Sequence, residues 1–326
     1  MANFVQIRDL KVTYAPETGA LVRALEGVSL EIARGEIVGI LGESGCGKST
    51  LASALLRLLP PHATCEAGTI SIDGRDLMQL SERDLRAIRG KEVSMIPQDP
   101  ALSLNPVMTA GSQISEVLRA HLPLTAKQRR ERVMELLREV GFDSPEEIYA
   151  AYPHQLSGGQ RQRIAIAQAI SCVPALLIAD EPTSKLDASL QTEIVALLSR
   201  IRQQHGTAIL VISHDPSLFA GFADRIAVMY AGRIVEVGST AAIFRKSLHP
   251  YTQALVSIAA STLVSATDTK APLPAIAGES PDPTCVPLGC RFEPRCAERM
   301  EACSIRYPAE FIPEPARLVS CFKYGE

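Results

Sequence analysis

The chain has 326 residues, 46% hydrophobic and 21% charged, which suits one large domain with a small second module. Its net charge of −3 gives no overall basic field, so composition does not favour nucleic-acid binding. No apolar run approaches the roughly 18 to 20 residues that span a bilayer, and the N-terminus lacks a signal-peptide pattern. We therefore expect a soluble, unexported protein without a transmembrane segment.

The first 40 residues show the period-two alternation of half-buried antiparallel strands. The apolar positions are Leu10, Val12 and Tyr14 in one stretch and Val28, Leu30 and Ile32 in another. Four later runs are short and apolar without alternation, which is typical of parallel strands covered on both faces. They are Ile37–Leu41, Val93–Ile96, Leu176–Ala179 and Ala208–Ile212. Because helical patterns separate these runs, we predict an α/β fold that opens with an antiparallel sheet.

A phosphate-binding loop is predicted after the first apolar run, where GESGCGKST precedes the helical pattern LASALLRLL, which ends at Pro60 and Pro61. Its glycines let backbone amides face a polyphosphate at the positive end of the helix. Lys48 suits the β and γ phosphates, and Ser49 suits a magnesium ion. The candidate ATP and Mg²⁺ residues of this loop are Gly42, Ser44, Gly45, Cys46, Gly47, Lys48, Ser49 and Thr50.

The other apolar runs end beside residues that nucleotide hydrolysis requires, and ligands of open α/β sheets lie at the carboxyl ends of strands. Asp180 suits the magnesium shell, and Glu181 suits a general base that activates water. Gln98 and His214 follow two further runs. A lone strand-end histidine or glutamine is usually structural or solvated, but the set together indicates a nucleotide hydrolase. Glu181, His214 and Gln98 are the candidate catalytic residues.

The stretch from Asp99 to Val173 is predicted to be a helical insertion, with its clearest helix at Lys127–Val140 and a cap at Gly141. Within it, Leu156 is followed by Ser157, Gly158, Gly159 and Gln160, and then by the helical pattern RQRIAIAQAI. Ser157 suits the N-cap, and the glycines expose backbone amides to an anion. Since one subunit already has a phosphate-binding loop, this site is expected to close on nucleotide held by another subunit. An ordinary capped helix is the alternative.

Composition changes after about residue 260, where a proline-rich stretch precedes a cysteine-rich end. We predict a main domain over residues 1–260 and a C-terminal module over residues 261–326. Four cysteines separated by five, six and 17 residues predict a metal site: Cys290, Cys296, Cys303 and Cys321. The short knuckle of zinc sites is absent, which makes zinc less favoured. Free cysteines or incidental disulfides are the alternative.

In this order the segments resemble the ABC ATPases over about residues 4–258. The resemblance implies that GESGCGKST is the Walker A loop, LSGGQ the signature and LLIADE the Walker B strand. It also implies a Q-loop at Gln98, a D-loop over Ser184–Asp187 and a switch histidine at His214. Tyr14 would stack on adenine, although a core tyrosine is the alternative. The implied fold is a P-loop NTPase with an N-terminal antiparallel β subdomain, a helical signature subdomain and a small cysteine-rich C-terminal extension.

A narrower resemblance covers nearly the whole chain and carries the predicted cargo. The segments QDPALSLNPVMTAGSQI, YPHQLSGGQRQR, VMYAGRIVEVG, LHPYTQAL and GCRFEPRC are similar to stretches of the oligopeptide and dipeptide import ATPases. The resemblance implies two transmembrane permeases, a second ABC ATPase, an extracytoplasmic peptide-binding protein and a four-iron, four-sulfur cluster on the tail cysteines. It also implies a peripheral position on the cytoplasmic face of the inner membrane. Two departures stand out: Lys185 replaces a small D-loop residue, and Gln168 replaces a common arginine.

The function that follows is ATP hydrolysis that powers peptide import, with Glu181 deprotonating water and His214 contacting the γ phosphate. Because cargo is chosen by other subunits, nickel, a nickel chelate or glutathione is the alternative cargo. A soluble ABC ATPase of DNA repair or translation is disfavoured, since the chain has one cassette, no long coiled-coil insertion and no basic arm. A metal- or redox-regulated protein is a further alternative if the tail cluster is labile.

Overall fold

The computed structural model describes residues 4–15, 19–265 and 276–325. Two compact units make up the chain. Unit 1 comprises residues 1–32, 37–78 and 213–326, and unit 2 comprises residues 33–36 and 79–212. Part of the predicted proline-rich stretch, including Pro272 and Pro274, lies outside the described residues.

The strands and helices are numbered in chain order. The strands are β1 (Val5–Tyr14), β2 (Val22–Ile32), β3 (Ile37–Leu41), β4 (Ala63–Ile72), β5 (Arg75–Asp76), β6 (Val93–Ile96), β7 (Leu176–Asp180), β8 (Ala208–Ser213), β9 (Arg225–Tyr230), β10 (Arg233–Ser239), β11 (Phe311–Glu314) and β12 (Arg317–Val319). The helices are α1 (Lys48–Leu55), α2 (Glu82–Ile88), α3 (Pro100–Ser103), α4 (Ala110–His121), α5 (Ala126–Glu139), α6 (Pro145–Ala150), α7 (Gly158–Ile170), α8 (Ala188–His205), α9 (Thr240–Arg245), α10 (Pro250–Ser265) and α11 (Glu301–Ile305).

Unit 1 contains an antiparallel sheet in the order β2-β1-β4-β5, as the alternating N-terminal pattern predicts. Leu10 pairs with Val28, and Val5 pairs with Ile32. All four side chains are fully buried, so the apolar positions of both strands lie on the side of the sheet that is covered.

A second group of strands in unit 1 runs in the order β11-β12-β10-β9-β3. β3 is parallel to β9, and the other neighbours are antiparallel. β9 and β10 form a hairpin whose two turn residues, Ala231 and Gly232, both have positive φ, which matches the twist of a tight two-residue turn. Val319 of β12 pairs with Glu236 of β10, so the C-terminal residues extend this sheet.

Unit 2 contains the parallel strands β8-β7-β6. The four apolar runs predicted as buried strands are all confirmed, because β3, β6, β7 and β8 begin where those runs begin. Residues 99–173 carry helices α3 to α7. The predicted helix at Lys127–Val140 is α5, whose apolar residues Val133, Leu136 and Leu137 are fully buried, and Gly141 has a φ of 92°.

Helix α1 is shorter than the pattern LASALLRLL predicts, because it ends at Leu55 instead of running to the prolines at 60 and 61. Arg57 has a φ of 48°, a left-handed conformation that no α-helix continues through. Leu58 is 55% exposed, so the last part of this apolar run does not form a buried helical face.

Candidate functional site

The predicted phosphate-binding loop lies in unit 1 between the end of β3 and the start of α1. Gly47 is the N-cap of α1 with a φ of 105°, a conformation that favours glycine. A Cβ on Gly42 would lie 2.3 Å from the carbonyl oxygen of Met229, so only glycine fits there. Ser44, Gly45 and Ser49 are exposed, and the loop therefore presents backbone and hydroxyl groups at the N-terminus of a helix.

Lys48 is 6% exposed, and its ammonium group is held within the loop. Its Nζ donates to the carbonyl oxygens of Gly42 at 2.7 Å and Glu43 at 2.9 Å. These contacts fix a positive charge among the loop amides, where an anionic ligand would be favoured.

Tyr14 and Thr50 meet beside the loop. The Tyr14 hydroxyl lies 3.0 Å from Thr50 Oγ1, and its ring centroid lies 5.6 Å from that of His62. The ring is half-buried, unlike Leu10 and Val12 on the same strand, which are fully buried. The adenine-stacking role of Tyr14 stays a prediction.

Asp180 and Glu181 lie in unit 2 at the carboxyl end of β7, as predicted, and are 4% and 8% exposed. Glu181 has a φ of 48°, and its backbone N–H donates to the carbonyl oxygen of Ile212 at 3.0 Å. A left-handed backbone at a bulky, non-glycine residue stores strain of about 1–3 kcal/mol, and such strain is concentrated at functional sites. Glu181 shares this left-handed backbone with six other non-glycine residues of the described chain, and its role as general base stays a prediction.

Gln98 in unit 2 and His214 in unit 1 are both exposed, each just beyond the end of a strand. The neighbour of Gln98, Asp99, caps α3 by accepting from the backbone N–H of Ala101 at 2.9 Å. The Asp99 carboxylate also forms an ion pair with Lys185. Hydrogen bonding from Lys185 lowers the pKa of Asp99. The sequence marks Lys185 as an unusual D-loop residue, but it does not predict the pairing with Asp99, which lies 86 positions away.

The predicted signature segment forms the start of α7, with Ser157 as its N-cap. Ser157 Oγ accepts from the backbone N–H of Gln160 at 3.2 Å, and Gln160 Oε1 accepts from the backbone N–H of Ser157 at 2.9 Å. Ser157 and Gly158 are exposed, whereas Gly159 is buried against Leu190. The N-cap prediction is confirmed, and the exposed helix terminus keeps the predicted anion site sterically open.

Asp187 is the N-cap of α8, where its carboxylate accepts from the backbone N–H of Leu190 at 3.0 Å. The cap stabilises the helix that follows the predicted D-loop. Capping α8 is a structural role of Asp187 that is separate from its predicted place in the D-loop.

The four tail cysteines come together in unit 1, where they line one cavity of about 10 Å³. That volume is close to a single water site. Burial raises the pKa of Cys290 to about 11 and also raises the pKa values of Cys296 and Cys321. No disulfide joins any of the eight cysteines, all of which lie in the described part of the chain.

The metal geometry that the cysteine spacing predicts is not present in this arrangement. Across residues 4–15, 19–265 and 276–325, no group of three or more His, Cys, Asp or Glu side chains is arranged to hold a metal ion. The four thiols line one cavity, but they are not placed as the ligands of a metal ion. The proximity of the four cysteines agrees with the prediction, whereas the iron–sulfur cluster itself is implied by the resemblance.

Two family models match the chain. Residues 25–184 match the model described as ABC transporter, and residues 235–303 match the C-terminal region of the oligopeptide/dipeptide transporters. A curated relative, the oligopeptide transport ATP-binding protein AppD of Bacillus subtilis (strain 168), is 42% identical over 100% of this chain and 98% of its own length. The chain belongs to the oligopeptide and dipeptide transport ATP-binding proteins of the ABC transporter family. The predicted enzyme class, an ABC-type ATPase, is thereby confirmed.

Further comparisons agree with this family and with its fold. The dipeptide transport ATP-binding protein DppD of Bacillus subtilis (strain 168) is 40% identical over 99% of this chain and 95% of its own length. A solved structure, described as the dimeric post-hydrolysis state of the ATP-binding cassette MJ0796 bound to ADP and Pi, is 30% identical. It matches with a TM-score of 0.65 over 72% of this chain and 98% of its own. The α/β fold of an ABC ATPase is confirmed, and none of the helices in the described residues is long and apolar enough to cross a bilayer.

Proposed function

We propose that this ABC ATPase subunit binds and hydrolyses ATP to power the import of dipeptides or oligopeptides. The observation that carries the proposal is a similarity of 42% identity that spans the whole chain, including the C-terminal region found in peptide transporters. Nothing in the chain is expected to contact the peptide, so the cargo class comes from this relationship.

The proposed nucleotide site uses the residues that end the buried strands and begin α1. Backbone amides of the phosphate-binding loop and the Lys48 ammonium bind the phosphates, and Ser49 and Asp180 bind the magnesium ion. Glu181 positions and deprotonates the attacking water, Gln98 contacts the magnesium and water, and His214 stabilises charge on the γ phosphate. The left-handed backbone of Glu181 and the buried position of Lys48 support these assignments.

Hydrolysis is proposed to require a second ABC ATPase, with a heterodimer as the expected form. The exposed N-terminus of α7 at Ser157 and Gly158 supports a role in closing over ATP held by that partner. The description of the MJ0796 cassette as dimeric supports the pairing of two cassettes.

The proposed assembly places this subunit on the cytoplasmic face of the inner membrane with two transmembrane permeases and an extracytoplasmic peptide-binding protein. The test is affinity purification of the tagged chain from native membranes in mild detergent, followed by mass spectrometry. Recovery of two multi-spanning permeases and a second ATPase is expected. Recovery of soluble partners alone would contradict the transport role but leave ATP hydrolysis standing.

The alternative cargoes and functions are not favoured by the relatives. AppD and DppD are named for oligopeptide and dipeptide transport, and neither name refers to nickel, glutathione, DNA repair or translation. Peptide import is therefore the function to test first.

An iron–sulfur cluster on Cys290, Cys296, Cys303 and Cys321 is the finer part of the proposal. Four soft thiol donors around one cavity, with Phe292 beside them, suit the ligand chemistry of such a cluster. When bound, the cluster would cross-link a short segment of chain that contains no disulfide.

The cluster is tested by anaerobic purification and analysis for iron, acid-labile sulfide and zinc. Iron and sulfide that are lost in Cys296→Ala but kept in Cys285→Ala are expected, because Cys285 is exposed and does not line the cavity. Zinc alone, or no metal, would contradict the iron–sulfur assignment.

A further inference from the structure

Glu43, the second residue of the phosphate-binding loop, is held at three points. Its backbone N–H donates to the Tyr251 hydroxyl at 2.9 Å, and its carbonyl oxygen accepts from Lys48 Nζ at 2.9 Å. Its carboxylate accepts two hydrogen bonds from the Arg295 guanidinium, at 2.7 Å and 3.0 Å, and one from Ser280 Oγ at 3.0 Å. Arg295 and Ser280 both come from the C-terminal extension, so that segment contacts the loop directly.

The pair of Arg295 and Glu43 has the geometry of a strong contact. Two parallel N–H···O bonds between a guanidinium and a carboxylate fix orientation as well as charge. The Arg295 side chain is 5% exposed, and that of Glu43 is 27% exposed. Burial opposes ionisation of Glu43, but hydrogen bonds from Arg295 and Ser280 outweigh it and lower the pKa of Glu43. The carboxylate is therefore charged at neutral pH and bound to a buried cation.

Arg295 is itself held in place before it reaches Glu43. Its Nε donates to the carbonyl oxygen of Ala277 at 2.9 Å, and one of its terminal nitrogens lies 3.3 Å from the Tyr230 hydroxyl. Its backbone N–H donates to the carbonyl oxygen of Phe292 at 3.0 Å. Both ends of the contact therefore belong to an ordered structure, which is the condition for one group to position another.

Phe292 anchors this part of the extension in unit 1. It is 3% exposed, and its ring centroid lies 5.2 Å from that of Tyr230 and 5.4 Å from that of Tyr251. Tyr251 in turn accepts the hydrogen bond from the Glu43 backbone. The aromatic cluster and the ion pair thus hold the same loop residue from two directions.

The extension also covers the flank of the loop. Ser44, Gly45 and Cys46 of the loop line a common cavity of about 250 Å³ with residues 280–283 of the extension. The carbonyl oxygen of Pro283 accepts a hydrogen bond from the backbone N–H of Arg23 at 3.2 Å. The contact at Arg295 is therefore one part of a continuous junction within unit 1.

We propose that Arg295 is a positioning residue for ATP binding, which braces the phosphate-binding loop through Glu43 and makes nucleotide affinity depend on the C-terminal extension. The inference rests on the proposed ATP site at this loop. A loop held in its binding conformation loses less conformational freedom when its amides close around phosphates. Arg295 acts through Glu43 and needs no contact with the nucleotide. Because Cys296 follows Arg295 directly, a conformational change in the segment that holds the four cysteines would be transmitted to the loop through Arg295 and Glu43.

The experiment measures the affinity of the full chain for the magnesium complex of AMP-PNP, a non-hydrolysable ATP analogue, by isothermal titration calorimetry. The variants are Arg295→Gln, Arg295→Lys, Glu43→Gln and the double variant of Arg295→Gln with Glu43→Gln. Arg299→Gln is the matched control, because Arg299 lies in the same extension, pairs only weakly with Glu293 at 3.6 Å and is 65% exposed. Thermal unfolding of each variant is recorded alongside.

Arg295→Gln and Glu43→Gln are each expected to raise the dissociation constant about tenfold, which corresponds to about 1.4 kcal/mol. The double variant should bind about as weakly as either single variant, because both remove the same contact. Arg295→Lys, which keeps the charge but not the two parallel bonds, should recover part of the loss. Arg299→Gln should bind like the wild type.

Wild-type binding that Lys48→Ala weakens about tenfold or more establishes the proposed ATP site separately from the role of Arg295. If the wild type binds but Arg295→Gln and Glu43→Gln bind within twofold of it, the inference is wrong and the pair serves only to attach the extension. Lower thermal stability with unchanged affinity has the same meaning. Should Arg295→Gln fail to fold, Glu43→Gln alone decides between these results. A wild type that does not bind the analogue would overturn the proposed site and the inference together.

Discussion

A buried ion pair joins the C-terminal hairpin, formed by β11 and β12, to the rest of unit 1. An Arg317 terminal nitrogen lies 2.9 Å from a Glu236 carboxylate oxygen, with the side chains 3% and 0% exposed. The two oxygens of Glu236 also accept backbone N–H groups, one from Leu248 and one from His249, each at 2.9 Å. The carboxylate is thus fully desolvated, and Arg317 supplies its countercharge.

Arg317→Met removes that countercharge and keeps an unbranched, apolar side chain in place of the aliphatic part of arginine. Breaking one partner of a buried pair costs about 3–5 kcal/mol, because the other charge is left uncompensated in the interior. With about 1.5 °C lost per kcal/mol for a chain of 326 residues, the unfolding midpoint should fall by at least about 4 °C. Circular dichroism during heating measures the midpoint.

Two comparisons show whether the cost comes from the unpaired charge. Adding Glu236→Gln to Arg317→Met should recover part of the lost stability, since the remaining side chain is neutral. Lys127→Met breaks an exposed pair with Glu131, whose side chains are 88% and 59% exposed, and should change stability by less than about 0.5 kcal/mol. A midpoint for Arg317→Met close to that of the wild type would refute this account of the hairpin.

Three further predictions concern the nucleotide site. Glu181→Gln should leave ATP binding intact and lower the turnover of the assembled complex about 10²- to 10⁴-fold, and full turnover would rule out Glu181 as the base. Lys48→Ala should weaken ATP binding itself by about tenfold or more, because a cation that hydrogen-bonds within the loop is lost. Calorimetry measures the affinity, and an unchanged value would contradict the assigned role of Lys48. Lys185→Ala should change the ATPase rate of the complex about twofold or more. The unfolding midpoint should stay the same, because the ion pair of Lys185 with Asp99 is exposed. An unchanged ATPase rate would show that Lys185 has no special role in hydrolysis.

The sequence predicted best the elements whose signal is local. A run of only four or five consecutive apolar residues, as in Ile37–Leu41, is too short for a typical helix and favours a strand buried on both faces. In the same way, the apolar spacing from Val133 to Val140 and the following glycine fix the face and the end of α5. The N-cap at Ser157 also follows from residues within three positions of one another.

The helix after the phosphate-binding loop was predicted too long because apolar letters alone do not distinguish helix from buried turn. Leu56 is 5% exposed and Leu58 is 55% exposed, so this run is divided between core and surface. The left-handed Arg57 between them ends the helix, and no residue type in that run signals such a backbone.

Three ion pairs that sequence reasoning missed are between residues far apart in the chain. The Arg295–Glu43 pair spans 252 positions, Arg317–Glu236 spans 81 and Lys185–Asp99 spans 86. Nothing in a single sequence states which of 33 cationic residues meets which of 36 acidic ones. The convergence of the four cysteines on one cavity was predictable because they share a short segment, whereas their ligand geometry was not.

The central claim is tested most directly by peptide uptake. The complex purified with this subunit is reconstituted in liposomes with its peptide-binding protein, with the nucleotide-binding face on the side that receives ATP, and transport of a labelled oligopeptide is followed. The account predicts accumulation that requires MgATP and is lost when this subunit carries Glu181→Gln. Peptide accumulation that does not depend on ATP would contradict the proposed role in ATP-driven peptide import. ATP hydrolysis that peptide does not stimulate and that is not accompanied by peptide transport would contradict it as well.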